Sequence, residues 1–251
     1  MPLRLAVVCE ASADFRTATA LVERVIVEQV DWVDEDLLSS CPLWCEFEPD
    51  RPYLLWKEIP HLASEAGIRI RGHFDGLPGE ADAKAALRAL RYFKLRMGSL
   101  HGVLLLRDDD RDRSRRVGLE QARTSGHGLV GQIVIGLAHC MRECWVVAGF
   151  DPADAGEIAR LAEVRSELGF NPCSSPEALT AKDEAAKRSS KRVLDLLTRK
   201  DADREARCWT EAALDTLRSR GHETGLTPFL DEVRDRLIPL FDGRHPESRR
   251  P

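Results

Sequence analysis

Apolar and polar positions divide the chain into two stretches with different rhythms. Residues 3–9 (LRLAVVC) form an almost unbroken apolar run rich in Val and Leu, the pattern of a strand buried on both faces. Ala13 or Asp14 can cap the helix that follows. Its apolar residues Phe15, Ala18, Leu21, Val22, Val25 and Ile26 recur at helical spacing. Residues 67–74 (GIRIRGHF) alternate and predict a second strand. Residues 80–97 set Leu87, Leu90 and Phe93 on one helical face. Residues 103–106 (VLLL) predict a third strand, 113–124 a charged helix, 132–137 (QIVIGL) a fourth strand and 138–149 a helix. Between the first two strands, residues 31–66 carry Trp32, Pro42, Trp44, Pro49, Pro52, Trp56 and Pro60 with no period, and read as an insertion.

After residue 151 the strands stop. Residues 152–168, 176–198, 201–219 and 227–241 all predict helices, punctuated by Gly169, Pro172, Pro176, Gly221, Gly225 and Pro228. Alternation of strands and helices predicts an α/β fold, a Rossmann-like parallel sheet flanked by helices over residues 1–150. Residues 151–242 then form a helical C-terminal extension, and the polar stretch 243–251 a disordered tail.

Charge narrows the choice of partners. The 251 residues carry a net charge of −5, which excludes a uniformly basic nucleic-acid coat. Contact with a polyanion must be local, through a basic patch or bound cations. No apolar run reaches the roughly 20 residues that span a bilayer, and the N-terminal run reads as a strand and not as a secretory signal. Seven cysteines, an odd number in a chain read as lacking a signal, point to reduced thiols and a cytoplasmic location. Cys41-x-x-x-Cys45 and Cys140-x-x-x-Cys144 depart from the usual two-residue zinc spacing. His139 beside the second pair completes no four-ligand set, so the cysteines read as small buried hydrophobes.

Candidate chemistry lies at the strand ends. Open parallel sheets bind ligands outside the carboxyl ends of their strands. Glu10 ends the first strand, with Asp14 one helical turn on, and Asp108, Asp109, Asp110 and Asp112 follow the third. Carboxylates converging on one rim repel each other unless cations neutralise them, and oxygen donors suit Mg²⁺ or Mn²⁺. A competing reading is a solvated, ion-paired loop, since residues 107–123 hold six Arg against five acids. Residues 182–200 hold seven Lys/Arg and three acids. If helical, Lys187/Lys191 and Arg188/Arg192 form one basic stripe suited to a phosphate backbone. A phospho-receiver domain, a haloacid-dehalogenase phosphatase, a Ser/His/Asp hydrolase and a P-loop ATPase each lack a required spacing or motif here.

The order strand–Glu10–x–x–x–Asp14–helix (CEASAD), then strand–Asp108–x–Asp110 (LLLRDDDRD), resembles a Toprim domain. That fold occurs in topoisomerases, bacterial primases, small RNA-maturation nucleases and the overcoming-lysogenisation-defect nucleases. Residues 142–148 (RECWVVA), and Pro176-Glu177-Ala178-Leu179 with Lys182, are similar to segments of stand-alone Toprim proteins related to those last nucleases. The family usually has Gly after the first Glu, where Ala11 stands here. The resemblance implies two Mg²⁺ or Mn²⁺ ions held by Glu10, Asp108 and Asp110, with Asp14 and Glu143 as further ligands. It also implies a lysine beside the scissile phosphate, from among Lys182, Lys187 and Lys191. The expected activity is metal-dependent nucleic-acid phosphodiester hydrolysis, with DNA favoured over RNA, in an antiphage defence module with an ATPase partner. The alternative is a degenerate Toprim scaffold or regulatory subunit that docks such a partner without catalysis.

Overall fold

The computed structural model describes residues 3–74 and 76–241, so the tail expected over 243–251 lies outside the described residues. The elements run β1 (Leu5–Cys9), α1 (Ser12–Gln29), α2 (Glu35–Ser40), β2 (Leu54–Leu55), α3 (Ile59–Glu65), β3 (His73–Phe74), β4 (Leu77–Pro78) and α4 (Ala81–Met97). They continue with β5 (Gly102–Asp108), α5 (Arg113–Ser125), β6 (Gln132–Ala138), α6 (Arg142–Ala148), α7 (Ala155–Leu168), α8 (Ser190–Thr198), α9 (Ala202–Thr210), α10 (Leu214–Arg220) and α11 (Leu226–Phe241). The chain forms two compact units. The first holds the described residues of Met1–Arg107, Asp112–Gly136 and Asp231–Pro251, and the second holds Asp108–Arg111 and Leu137–Leu230. The end of strand–helix alternation predicts a boundary near residue 150; the units divide at 107/108, 111/112, 136/137 and 230/231.

The first unit is built on a four-stranded parallel sheet, order β2-β1-β5-β6, flanked by helices in a Rossmann-like arrangement. Leu5 pairs with Gly102 and Val8 with Leu105, so β1 and β5 are neighbours in register. Every residue of β1 is buried, which is why its sequence is an apolar run and not an alternation. Asp14, in the first turn of α1, turns its carboxylate back to accept N–H bonds from Glu10 (3.0 Å) and Ala11 (2.8 Å). Asp112 caps α5 by accepting from the Ser114 amide at 2.9 Å. Helices α4 and α5 pack closely, and Gly118 permits it: a Cβ there would sit 2.9 Å from the Ala83 nitrogen.

Two expectations fail in this unit. The alternating segment 67–74 is not a strand of the sheet. Only His73–Phe74 is extended, paired antiparallel with Leu77–Pro78 in a separate ribbon. The remaining strand comes from the insertion, where Leu54 pairs with Val8. There Trp56 is buried and its Nε1 donates to the Leu106 carbonyl at 2.6 Å. Leu54 and Trp56 bury apolar surface in the sheet region, whereas the polar residues of 67–72 alternate with only two isoleucines and stay in solvent.

The second unit is helical around a buried aromatic pair. Trp145 of α6 stacks on Phe229 of α11 at 5.1 Å, and its Nε1 donates to the Thr224 carbonyl at 2.7 Å. Three helix expectations need correction here. Ala138 still belongs to β6, so the predicted helix 138–149 shrinks to Arg142–Ala148. The predicted helix 176–198 is a short turn at Pro176–Ala178, an irregular stretch, and then α8. The hydroxyl of Ser189 accepts from the Arg192 amide at 3.3 Å and starts α8 there, leaving Lys187 and Arg188 before it. The Lys187/Lys191 and Arg188/Arg192 stripe therefore does not exist as a helical face. The predicted helix 201–219 is two helices, α9 and α10.

Gly149 ends α6 against the backbone of α9, where an added Cβ would lie 1.9 Å from the Cys208 carbonyl oxygen. Gly149→Ala must displace backbone, so it is expected to cost about 3 kcal/mol of stability. The midpoint of urea unfolding checks this; an unchanged midpoint would refute the close approach.

Candidate functional site

In the first unit, Glu10 directly follows β1 and meets two guanidinium groups, Arg107 at 3.5 Å and Arg115 at 3.4 Å. Arg107 also pairs with the buried Asp82 at 3.1 Å and lies over the Trp56 ring, 5.2 Å from its centroid. Trp56 and Asp82 thus hold Arg107 in place, and Arg107 in turn meets the Glu10 carboxylate. None of Arg107, Arg115, Asp82 or Trp56 was identified as a site residue from sequence. Asp14, expected as a metal ligand, has its Oδ2 engaged by the Glu10 and Ala11 amides.

In the second unit, three consecutive carboxylates point to three different partners. Asp108 Oδ1 accepts the backbone N–H of Arg142 at 2.9 Å, at the start of α6. Asp109 Oδ2 lies 2.6 Å from His139 Nδ1, and its Oδ1 accepts the Arg111 amide at 2.9 Å. Asp110 faces the Lys182 ammonium at 3.5 Å. Asp110 and Arg111 both have positive φ, 48° and 62°. A left-handed conformation costs a residue with a Cβ roughly 1–2 kcal/mol. The Arg111 Nη2 bond to the Thr180 carbonyl at 2.6 Å, together with the Asp109–Arg111 turn, holds the loop there.

Glu143, one residue into α6, has Arg142 Nη2 3.4 Å away, and Arg142 itself reaches Glu205 at 3.0 Å. Lys191 bonds Glu184 at 2.8 Å. That bond, and then the charges of Glu143, Glu184 and Asp108, raise the Lys191 pKa above the ordinary lysine value against the opposing effect of burial, so it stays cationic. Lys182 and Lys191 are therefore the lysines that the second unit brings to its acids, while Lys187 lies exposed in the loop before α8.

Most of the thiols fit the buried-hydrophobe reading. Burial pushes Cys144, Cys173 and Cys208 each up to about 12 and raises Cys9 further. Cys140 differs in its company, because its Sγ lies 3.7 Å from His139 Nε2. No sequence signal joins Asp109 to His139 and Cys140, since they sit on separate loops about thirty residues apart.

Searches of protein-family models, curated proteins and solved structures find no match to this chain. Among the described residues no helix is long and apolar enough to cross a membrane.

Proposed function

We propose that the protein is a Toprim-like, Mg²⁺- or Mn²⁺-dependent nuclease that hydrolyses nucleic-acid phosphodiesters, DNA ahead of RNA. What supports this is the company of Asp108 and Asp110 in the second unit. Two carboxylates leave the end of a parallel strand, Lys182 pairs with one of them, and Lys191 feels the charges of Asp108 and Glu143. The chain order adds support, since Glu10 follows β1 and Asp108 closes β5, as in the Toprim pattern.

The donors Asp108, Asp110 and Glu143 are all hard oxygen groups, the set that Mg²⁺ and Mn²⁺ prefer, with Glu10 as the ligand expected from the Toprim pattern. When bound, such ions would make a water nucleophilic at neutral pH and stabilise the departing oxygen. The chain's own residues supply the rest. The Arg142 amide donates to Asp108 Oδ1 and so holds the orientation of that carboxylate. Lys182 or Lys191 opposes the charge that builds on the non-bridging phosphate oxygens. By the Toprim resemblance, Glu10 would serve as ligand or as general base toward the attacking water.

The full chain should be incubated with plasmid, single-stranded DNA and RNA, with Mg²⁺ or Mn²⁺. Ion-dependent cleavage that a chelator stops is the expected result; no cleavage of any substrate and no Mn²⁺ binding would overturn the proposal. By its resemblance, the protein would act beside an ATPase in antiphage defence. The proposal extends to that partner, and a co-purification with the ATPase tests it.

A second reading, a scaffold that docks a partner without catalysis, is favoured by one observation: Arg107 and Arg115 already neutralise Glu10. Mn²⁺ titration by calorimetry separates the two readings. Binding that Asp108→Asn abolishes fits the nuclease, and absence of binding fits the scaffold.

A further inference from the structure

Asp109, His139 and Cys140 form a donor cluster that the proposed hydrolysis leaves unused. One donor atom from each lies within 4.8 Å of the others. The two short contacts use opposite ring nitrogens, Asp109 Oδ2 at His139 Nδ1 (2.6 Å) and Cys140 Sγ at His139 Nε2 (3.7 Å), so an ion at Nε2 has the sulfur beside it and the carboxylate behind the ring. We propose that these three residues bind a borderline-soft divalent ion of the zinc type, at a site distinct from the oxygen-ligated one.

Donor chemistry is the first reason. A thiolate and an imidazole select zinc-like ions over Mg²⁺, and a carboxylate with a thiolate supplies two negative charges to balance a dication. Spacing is the second. Bonds of roughly 2.0 Å to N and 2.3 Å to S place the two donors about 3.6 Å apart on a tetrahedral ion, close to the 3.7 Å between Nε2 and Sγ. Asp109, held at Nδ1, fixes the tautomer and orientation of the imidazole so that Nε2 faces the ion, the role of a carboxylate behind a metal-bound histidine. The third reason is backbone support. The Asp109 amide donates to the Ala138 carbonyl at 2.8 Å, the His139 amide to the Thr224 carbonyl at 2.8 Å, and the Arg111 amide to Asp109 Oδ1 at 2.9 Å.

Nε2 and Sγ as direct donors leave the remaining tetrahedral positions to water or a ligand. His139 is half-buried and gives the ion access from solvent, while Cys140 is buried. The same three residues in the order Asp–His–Cys also have the connectivity of a thiol nucleophile and its base. An acyl or alkyl substrate, however, must reach Sγ itself, and its burial favours a small ion.

Cobalt(II) titration of the chelator-treated full chain tests this without reference to nuclease activity. We expect one equivalent bound, with tetrahedral d–d absorption and a near-ultraviolet thiolate-to-cobalt charge-transfer band. Cys140→Ser should lose that band, and His139→Gln should weaken binding at least tenfold. Cys144→Ser should keep the band. Asp108→Asn should also keep it while removing Mn²⁺ binding, which separates failure of this site from failure of the nuclease reading. Absence of the band in the wild type, or its persistence in Cys140→Ser, overturns the proposal. Fast alkylation of Cys140 with no cobalt band would overturn it in favour of the nucleophile.

Discussion

Asp108→Asn is expected to lower nucleic-acid cleavage by at least a thousandfold while leaving the melting temperature nearly unchanged. The substitution removes one negative charge at constant size and keeps an oxygen that can accept the Arg142 amide at 2.9 Å. The helix start at Arg142 is therefore preserved, and only the charge that would face the proposed cations is lost. Glu10→Gln should lower the rate comparably if Glu10 accepts the proton. It also removes the charge facing Arg107 and Arg115, whose positions 3.5 and 3.4 Å away make a modest loss of stability expected. Lys182→Ala should act more weakly, because Lys191 supplies a second cation. Substrate binding should survive in part in all three variants and fall steeply with salt, since phosphate contacts release counterions. Single-turnover cleavage and filter binding at two salt concentrations make the measurement. Cleavage unchanged in Asp108→Asn would end the nuclease reading, and loss of binding together with cleavage would make Asp108 a folding residue.

How much of this was readable beforehand depended on the length of each pattern. The run in β1, the six-position apolar face of α1, the Ala/Leu face of α4 and the strand-to-Asp transition at Asp108 are all long or sharply bounded, and each appears as an element close to its expected limits. The two-residue strand β2 carries no period to detect, and it enters the sheet because Leu54 and Trp56 bury apolar surface. Residues 176–198 have helix-forming composition throughout. Yet Pro176 and the Ser189 cap give the backbone local alternatives that periodicity does not register. Of the candidate site, the acids were visible because they follow apolar strands. Their partners were not: the seat of Arg107 on Trp56, the contact of Asp109 with His139, and the field of Asp108 and Glu143 on Lys191 all join residues far apart in the chain. Pairings of this kind depend on loop paths, on which spacing along a single sequence is silent.

The second large effect concerns stability in the second unit and lies away from the acidic loop. Glu157 of α7 is almost wholly buried and receives Arg204 bidentately, Nε at 2.6 Å and Nη2 at 2.9 Å, with the Ala153 amide at 2.8 Å. Arg204 also lies over the Phe150 ring at 4.3 Å. The Arg204 hydrogen bonds, helped by the Ala153 amide and the charges of Arg204 and Arg160, outweigh burial and pull the Glu157 carboxyl down to about 2. An unfolded glutamate titrates near 4.3. The folded value is the lower one, so the stabilisation is fully present above the unfolded value and disappears as pH falls from about 4.5 to 2. A shift of this size corresponds to about 3 kcal/mol. Glu157→Gln leaves the Arg204 guanidinium buried without its counter-charge, a change that costs roughly 3–5 kcal/mol at neutral pH. The variant should therefore unfold at much lower urea at pH 7, and the gap to wild type should close as both approach pH 2. Hydrogen exchange of the α7 and α9 amides across this range locates the effect. Equal acid sensitivity in the two proteins would mean that the pair contributes nothing to folding, and that Phe150 and the apolar contacts of these helices hold this part of the unit together.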